Sequence, residues 1–379
     1  MKIFIVQGQL CNGGAEQVGV QLANGFSRRG HQVYIITNLH EREEFQVDRN
    51  IEKMQLTGDN SYKLIKWGVG IKYLRKYMKE YKPQVAICIL GVTSLIAKIA
   101  SFGLDIEIIS TDHNSFERPV DAPLTKVHYI SKFWLNKIYK NVTVLTKADK
   151  KYIGKRLKHV TVMPNPLSLD PLSIEDRNRP LPNETKIVLD SKENIILAAG
   201  RLDAWFVKGF DLLIKAWGEL QERYKSENKI LDWKLQIAGK GSEKSLRFLR
   251  DICKTCGVID SVEFLGFQTC MEEIFKKASV FVLSSRYEGF GLVLIEAMSQ
   301  GCACIAADYR GRQSEIITNS GEGILYEPNN QHTLTNSIEK LIENLNYRKE
   351  LQVGAILRSK YYTLDKTIDR WETFLNNFI

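Results

Sequence analysis

Two glutamates, Glu288 and Glu296, flank a predicted turn between a strand and a helix. The apolar run 278–283 before them indicates a buried parallel strand, and residues 292–299 indicate a helix. Between these elements, the Gly-Phe-Gly sequence at 289–291 lets backbone N–H groups approach a ligand. A helix N-terminus attracts phosphate, and the two carboxylates can face one elongated ligand at different points. The pattern is therefore typical of a nucleotide-sugar site, with one glutamate for the sugar and one for the ribose.

Four further segments accompany this motif, and together with it they resemble the retaining glycosyltransferases of family 4. The segments are Asn-Gly-Gly-Ala-Glu at 12–16, Asp-His-Asn at 112–114, Pro-Asn-Pro at 164–166, and 200–209, which begins with Gly-Arg-Leu and ends with Lys-Gly. The matches extend from residue 12 to about residue 316, so the resemblance covers nearly the whole chain. It implies an α/β protein with the GT-B fold, in which two Rossmann-like parallel-sheet domains face an interdomain cleft.

The resemblance also implies roles for individual residues. Arg201 and Lys208 would neutralise the leaving diphosphate, the guanidinium as a fork and the ammonium as a point charge. Lys208 follows Arg201 by seven positions where the family usually has five, which indicates a two-residue insertion. Glu288 would bind sugar hydroxyls, and His113 would contact the donor sugar near the reacting carbon. The predicted catalytic residues are His113, Arg201, Lys208 and Glu288; the predicted donor-binding residues are Gly13, Gly14, Phe267, Gly289, Phe290, Gly291, Leu292 and Glu296.

We predict neither a metal ion nor a cofactor, because the resemblance implies metal-independent transfer from a nucleoside diphosphate sugar. The sequence has no Asp-x-Asp motif, and no G-x-G-x-x-G, which argues against a nicotinamide-dependent dehydrogenase. The seven cysteines are scattered, and the Cys253–Cys256 pair has no partner pair at zinc spacing, so we interpret all of them as reduced. UDP is the expected nucleotide because it is frequent among bacterial relatives, not because a residue selects it.

The net charge of +9 lies entirely in the first half of the chain. Residues 1–190 hold 28 basic and 19 acidic side chains, whereas residues 191–379 hold 25 of each. Residues 126–158 contain ten Lys or Arg and one acid, with Phe133, Trp134, Ile138 and other apolar residues between them. Such a pattern is typical of an interfacial helix on an anionic membrane, although a solvated basic face over a core helix explains it equally well. No nucleic-acid-binding motif accompanies the charge.

The alternation of strand and helix patterns predicts four parts. These are an N-terminal acceptor-binding domain at 1–165, a linker at 166–193, a donor-binding domain at 194–360, and a C-terminal helix at 361–379 that returns to the first domain. The linker prediction rests on five of the nine prolines, which lie between residues 164 and 182. The sequence contains no apolar run of 18 residues, so we expect a cytoplasmic protein. If residues 126–158 bind an anionic membrane, the protein is peripheral on its cytoplasmic face.

The predicted function is transfer of a hexose or N-acetylhexosamine from a nucleoside diphosphate sugar to a glycan or lipid-linked acceptor in cell-surface polysaccharide synthesis. Three other readings stay open, namely a GT-B sugar-nucleotide epimerase, a glycosidic phosphorylase and a non-catalytic nucleotide-sugar binder. Retention of the anomeric configuration is compatible with a covalent intermediate or with front-face attack. We favour front-face attack because the motifs offer no obvious nucleophile beneath the sugar.

Overall fold

Two parallel sheets contain the apolar runs of the sequence, one sheet in each of two compact units. The computed structural model describes residues 1–11, 13–38, 45–57, 63–120 and 122–378. The first unit comprises residues 1–168 together with residues 362–378, and the second unit comprises Leu169–Tyr361. Asn12 of the glycine-rich segment lies outside the described residues.

The first stretch of chain, up to residue 168, alternates strands with helices. Its elements are β1 (Lys2–Val6), α1 (Gly14–Arg28), β2 (Gln32–Thr37), β3 (Glu52–Gln55), α2 (Lys63–Tyr81), β4 (Val85–Ile89), α3 (Gly91–Ala100), β5 (Glu107–Thr111), α4 (Lys126–Phe133), β6 (Asn141–Val144), α5 (Lys147–Ile153) and β7 (Val160–Val162). Short 3-10 helices lie at Leu135–Ile138 and Gly154–Arg156.

The remaining chain repeats the alternation and ends in three helices. Its elements are α6 (Asn183–Asp190), β8 (Glu193–Ala199), α7 (Trp205–Lys208), α8 (Phe210–Ser226), β9 (Lys234–Ala238), α9 (Glu243–Thr255), β10 (Val262–Gly266), α10 (Met271–Lys277), β11 (Ala278–Leu283), α11 (Leu292–Ser299), β12 (Ala303–Ala307), β13 (Ile324–Tyr326), α12 (Gln331–Glu343), α13 (Leu345–Ser359) and α14 (Leu364–Leu375). Short 3-10 helices lie at Leu202–Ala204, Tyr309–Gly311, Gln313–Glu315, Lys360–Tyr362 and Asn376–Phe378.

Both sheets are parallel throughout the described residues. The first has the strand order β3-β2-β1-β4-β5-β6-β7, and the second has the order β10-β9-β8-β11-β12-β13. In the first sheet Ile3 pairs with Val33 and Val85, and in the second Val280 pairs with Ile196 and Ala303. Strands β4 and β11 are buried along their whole length, and β1 and β8 are buried except near their ends, as expected of parallel sheets covered by helices on both faces. The predicted α/β class with two parallel-sheet domains is confirmed.

Helix α14 belongs to the first unit, where it packs against α1. The rings of Phe26 and Trp371 meet edge to face at 6.5 Å, and Arg29 Nη2 lies 2.7 Å from Asp369 Oδ1. Gly25 makes the close approach feasible, because a Cβ at this position would lie 2.6 Å from Cγ1 of Ile368. This small residue and its apolar partners therefore determine how closely the two helices pack.

Residues 169–193 fall within the predicted linker, and they belong to the second unit. The N–H of Leu172 donates to the carbonyl of Ser299 at 3.0 Å, and the guanidinium of Arg177 donates to the carbonyl of Gly321 at 2.8 Å. Helix α6 immediately precedes β8. The proline-rich stretch is thus tied to the second unit by hydrogen bonds along its length.

Residues 126–158 do not form the single interfacial helix that the charge pattern suggests. They include the buried strand β6 between α4 and α5, and the Phe133 side chain is only 3% exposed within the core of the first unit. Lys132 is also buried, and its Nζ lies 2.6 Å from Asp112 Oδ2. Among the described residues, no helix has both the length and the apolar character needed to cross a bilayer.

Candidate functional site

The candidate site residues of the second unit follow the carboxyl ends of its strands. Because all six strands are parallel, the loops after β8, β10, β11 and β12 leave the same edge of the sheet. Arg201 follows β8, Phe267 follows β10, and Glu288 follows β11. The topology therefore gathers three of the predicted residues along one edge.

Lys208 folds back to Gly200, the residue before Arg201, although seven positions separate the two cations in the sequence. The intervening residues form the 3-10 helix Leu202–Ala204 and the single turn α7. The methylene stem of Lys208 packs over Gly200, since a Cβ on Gly200 would lie 3.2 Å from Cγ, Cδ and Cε of the lysine. The side chain of Arg201 is exposed and forms no ion pair or hydrogen bond with the residues that the structure describes.

Lys208 and Glu288 form an ion pair at the centre of this edge. Lys208 Nζ lies 2.7 Å from Glu288 Oε1, with side-chain exposures of 23% and 14%. The hydroxyl of Ser285 donates to the same carboxylate oxygen at 2.7 Å. No described residue donates a hydrogen bond to Oε2 of Glu288. One oxygen is thus used to hold the carboxylate in place, and the other is available to a ligand.

The Gly-Phe-Gly turn leads from Glu288 directly into α11. Phe290 is buried and anchors the turn, while Gly291 adopts φ +102°, a conformation that favours glycine, as the N-cap of the helix. The N–H of Leu294 donates to the carbonyl of the N-cap Gly291 at 2.9 Å, whereas the N–H groups of Leu292 and Val293 have no carbonyl of the helix to donate to. The turn therefore presents donors and partial positive charge close to Glu288, as phosphate binding requires.

The other two predicted donor-binding residues of this unit differ in exposure. Phe267 is 68% exposed immediately after β10, so its ring face is accessible to a planar ligand. Glu296 is half-buried on α11, about two turns after the start of the Gly-Phe-Gly turn. Both lie in the loops or helices that begin at the carboxyl edge of the sheet.

In the first unit, a side chain of α1 lies over the glycine-rich segment at the start of the helix. Gly13 is the N-cap of α1, and Gly14 is the first residue of that helix. The carboxylate of Glu16 fills the space that a side chain on Gly13 would need. An internal carboxylate thus lies at a helix N-terminus, where it interacts favourably with the helix dipole.

His113 follows β5 and is held at both ring nitrogens. Its Nδ1 lies 3.0 Å from Asn165 Oδ1, and its Nε2 lies 3.0 Å from the hydroxyl oxygen of Thr111. Burial lowers the pKa of His113 to about 4, although the nearby Asp112 carboxylate acts in the opposite direction. The imidazole is therefore neutral at pH 7, and the 112–114 and 164–166 segments meet at this side chain.

Three residues close to the Lys208–Glu288 pair have no place in the sequence-based prediction. Ser285 supports the Glu288 carboxylate, as described above, and Arg286 forms a bidentate ion pair with Asp211 at 2.7 and 2.8 Å. Ser285 and Arg286 lie in the loop after β11, and Asp211 lies in the first turn of α8. Each is beside a recognised motif residue, yet none of the three has a distinctive spacing. Only the folded loops reveal their contacts.

Two family models match the chain, one in each half. The model described as "Glycosyltransferase Family 4" matches residues 12–171, and the model described as "Glycosyl transferases group 1" matches residues 182–357. Together they cover most of the sequence, including every predicted site residue.

Two similar proteins align with this chain over nearly their whole length. An uncharacterized glycosyltransferase from Haemophilus influenzae is 28% identical, over 96% of this chain and 96% of the relative. The Campylobacter jejuni enzyme named GalNAc-alpha-(1->4)-GalNAc-alpha-(1->3)-diNAcBac-PP-undecaprenol alpha-1,4-N-acetyl-D-galactosaminyltransferase is 27% identical, over 98% of this chain and 97% of the relative.

Two solved structures share the fold at low sequence identity. A sucrose-phosphate synthase from Thermosynechococcus elongatus has a TM-score of 0.81 and 17% identity, covering 100% of this chain and 99% of its own. The Anabaena protein HepE, in complex with UDP and glucose, has a TM-score of 0.74 and 17% identity, covering 100% of both chains. With both family models matched and the two parallel sheets in place, the chain belongs to the family 4 type of GT-B glycosyltransferases.

Proposed function

We propose that the protein transfers a hexose or N-acetylhexosamine from a UDP-sugar to a glycan or lipid-linked acceptor during cell-surface polysaccharide synthesis, with retention of configuration. The observation that carries the proposal is the Lys208–Glu288 pair beside the N-terminus of α11. It combines a cation, a free carboxylate oxygen and backbone donors, which are the groups that a diphosphate joined to a sugar requires.

Each part of the donor has a candidate partner in the second unit. Arg201, Lys208 and the N–H groups at the start of α11 would bind the diphosphate, whose charge increases as it leaves. Oε2 of Glu288 would accept hydrogen bonds from sugar hydroxyls. Glu296 would bind the ribose hydroxyls, and the exposed ring of Phe267 would lie against the base.

Front-face transfer is the proposed route to retention. The bond between the anomeric carbon and the diphosphate oxygen breaks, and the acceptor oxygen attacks that carbon on the same face. The acceptor hydroxyl proton passes to an oxygen of the leaving diphosphate. Glu288 suits hydroxyl binding better than nucleophilic attack, because Lys208 and Ser285 both occupy one of its oxygens.

Two of the similar proteins support the donor and acceptor classes. HepE binds UDP and glucose, and the Campylobacter jejuni relative is named for a saccharide carried on undecaprenyl diphosphate. Similarity to these proteins favours UDP as the nucleotide and a lipid-linked saccharide as the acceptor.

A panel of nucleotide sugars tests the proposal. The panel contains UDP-glucose, UDP-galactose, their N-acetylated counterparts and GDP-mannose, each incubated with polyprenyl-diphosphate-linked saccharides. We expect a UDP-sugar to raise the melting temperature by mass action and to release UDP only when an acceptor is present. An α-linked product from an α-linked donor supports retention, whereas a β-linked product would contradict it.

The same panel separates the alternative activities. An epimerase would convert one UDP-sugar to another without an acceptor, and a phosphorylase would need inorganic phosphate. A non-catalytic binder would show the melting shift with a UDP-sugar but release no UDP with any acceptor. Each outcome would replace the proposed transferase by a different activity.

We further propose that the exposed part of residues 126–158 binds an anionic membrane surface. Trp134, Ile130 and Ile138 are 62%, 51% and 43% exposed, and Nζ of Lys137 lies 4.8 Å from the Trp134 ring centroid. Exposed apolar side chains next to lysines are typical of interfacial binding. Lys132 and Phe133 are buried and take no part in this proposal, so the membrane-binding pattern of residues 126–158 does not extend to Phe133.

Vesicle binding with charge-reversal variants tests the membrane proposal. Each lysine near an anionic surface contributes about 1 kcal/mol, so Lys137→Glu with Lys140→Glu should weaken binding about 30-fold or more at low salt. Trp134→Ala should weaken it further, and added salt should weaken binding of the unmodified protein. Lys225→Glu with Lys244→Glu changes the net charge equally on the second unit and is the control. If both double variants lose vesicle affinity equally, or if the protein binds no vesicles, the basic surface is exposed to solvent without binding membranes and the proposal is wrong.

A further inference from the structure

Arg286 connects the two loops that carry Lys208 and Glu288. Its Nη1 and Nη2 donate to the two carboxylate oxygens of Asp211 at 2.7 and 2.8 Å, and Nη1 also donates to the carbonyl of Phe206 at 2.6 Å. Both side chains of the ion pair are nearly buried, with exposures of 11% and 12%. The guanidinium lies 4.1 Å from the centroid of the Phe206 ring. One side chain thus contacts the inserted turn α7 and the start of α8 together.

The backbone of the same loop adds two more links to α7. The N–H of Arg286 donates to the carbonyl of Val207 at 2.8 Å, and the hydroxyl of Ser284 donates to the carbonyl of Lys208 at 2.8 Å. Gly209 adopts φ +66° against the carbonyl of Ser284, where a Cβ would overlap that oxygen. The backbone on either side of Lys208 is therefore fixed by residues 284–286.

We propose that Arg286 is a positioning residue that sets the location of the Lys208 ammonium relative to Glu288. The inference rests on the proposed function, because the position of the Lys208 ammonium matters only if the ammonium binds the diphosphate of the donor. Arg286 itself points to Asp211 and Phe206, so it acts through Lys208 and does not contact the donor.

Arginine is required because the contact has two geometric components. A planar fork spans both oxygens of Asp211 while the same nitrogen reaches a carbonyl, and the plane stacks on an aromatic ring. Lysine would keep the charge but would lose the second hydrogen bond and the stacking. Arg286→Lys is therefore the diagnostic substitution, because it preserves the charge of the loop.

Hydrogen exchange of the ligand-free protein gives the first test. Arg286→Lys should accelerate amide exchange at residues 202–210 and 284–291 by at least about tenfold, with no change in the sheet strands. Arg223→Lys is the matched control, because Arg223 bonds Glu219 and Glu339 at 2.5 and 2.8 Å elsewhere in the same unit. Unchanged exchange in both segments would overturn the proposal, whether or not the protein binds a nucleotide.

A double-mutant cycle with Lys208 gives the second test, with UDP and inorganic pyrophosphate as the probes. Arg286→Lys should weaken binding of both about tenfold in calorimetry, as the loss of a positioned charge partner predicts. In a Lys208→Met background, Arg286→Lys should weaken binding of the two probes by less than about twofold, because an effect transmitted through Lys208 is lost when the lysine is absent. Additive losses would overturn the proposal and assign Arg286 a general structural role. Failure of the unmodified protein to bind UDP would instead count against the proposed donor, with the exchange experiment still deciding on Arg286.

Discussion

The two junctions where a strand leads through a glycine-rich turn into a helix use their carboxylates differently. At the β1–α1 junction, Glu16 folds over Gly13 and occupies the N-terminal end of its own helix. At the β11–α11 junction, Lys208 and Ser285 hold one oxygen of Glu288 and leave the other oxygen to a ligand. At the first junction the carboxylate lies against its own helix, whereas at the second junction one carboxylate oxygen is accessible to a ligand.

The same contrast extends to the other predicted residues. Both ring nitrogens of His113 have hydrogen-bond partners in the first unit, whereas the exposed Arg201 guanidinium of the second forms no hydrogen bond with the described residues and interacts with Asp203 only through its charge. Unsatisfied charge near a helix N-terminus favours an anionic ligand. We therefore expect the second unit to supply most of the free energy of donor binding.

The phosphate-binding cations should produce the largest effect. Lys208→Ala or Arg201→Ala should slow the release of UDP during transfer by roughly 100-fold or more, because each removes a positioned charge that stabilises the leaving diphosphate. Lys215→Ala removes an exposed lysine from α8 of the same unit and is the control. A Lys208→Ala protein with normal circular dichroism and full activity would remove the lysine from the site.

Substitutions of the three glutamates should produce the next largest effects and compare the junctions directly. Glu296→Ala should weaken binding of UDP and of the UDP-sugar by about 10- to 100-fold, as loss of a charged hydrogen bond predicts. Glu288→Ala should weaken binding of the UDP-sugar by a similar factor but should not weaken binding of UDP, because it removes a sugar contact and releases Lys208 from its ion pair.

Glu16→Ala is the matched change at the first junction. It should leave donor binding unaltered and lower the free energy of unfolding by about 0.3–1 kcal/mol, the usual contribution of an acid at a helix N-terminus. Calorimetry with UDP and with the UDP-sugar measures donor binding by all three variants, and denaturant titration measures the stability of Glu16→Ala. If Glu16→Ala weakens donor binding as much as Glu288→Ala does, the two junctions are functionally equivalent and the comparison fails.

The last prediction concerns His113 and the dependence of stability on pH. The pKa of His113 is lowered from 6.5 to about 4 in the folded protein, so the unfolded chain binds more protons between these pH values. Its contribution to stability is present above pH 6.5 and decreases as the pH falls. Between pH 7 and pH 5, the free energy of unfolding should fall by about 2 kcal/mol through this residue.

His113→Asn tests this assignment by denaturant titration at several pH values. The variant should lose less stability than the unmodified protein between pH 7 and pH 5, since asparagine does not titrate. The catalytic role of His113 stays a prediction. A large loss of transferase activity in this variant, without any change in the pH profile of stability, would favour the catalytic role over internal hydrogen bonding.

Most of the strands follow from the sequence because they are buried on both faces and form uninterrupted apolar runs. The strand predicted at 278–283 has those bounds in the structure. Strands β3 and β13 are harder to predict, because both are edge strands of three or four residues with partly exposed side chains. Strand β3 has the sequence Glu-Lys-Met-Gln and so lacks an apolar run, whereas the Ile-Leu-Tyr of β13 is apolar but too short to identify a strand by periodicity.

The site separates in a similar way into a predictable and an unpredictable part. Motif spacing identifies Glu288, and parallel topology explains why Arg201 follows a strand at the same edge. The two-residue insertion before Lys208 is also evident from spacing, but the packing of the lysine stem over Gly200 depends on the turn that the insertion forms. The Arg286–Asp211 contact joins residues 75 positions apart, so no local pattern could reveal it.

The return of α14 to the first unit has a consequence for the order in which the protein can assemble during synthesis. Residues 1–168 emerge from the ribosome without the helix that covers Phe26 and pairs with Arg29. That helix is translated only after the whole second unit, which can therefore fold before the first is complete. A nascent chain arrested before residue 362 should expose the surface of α1 to chaperones. Once α14 has been translated, it should cover that surface.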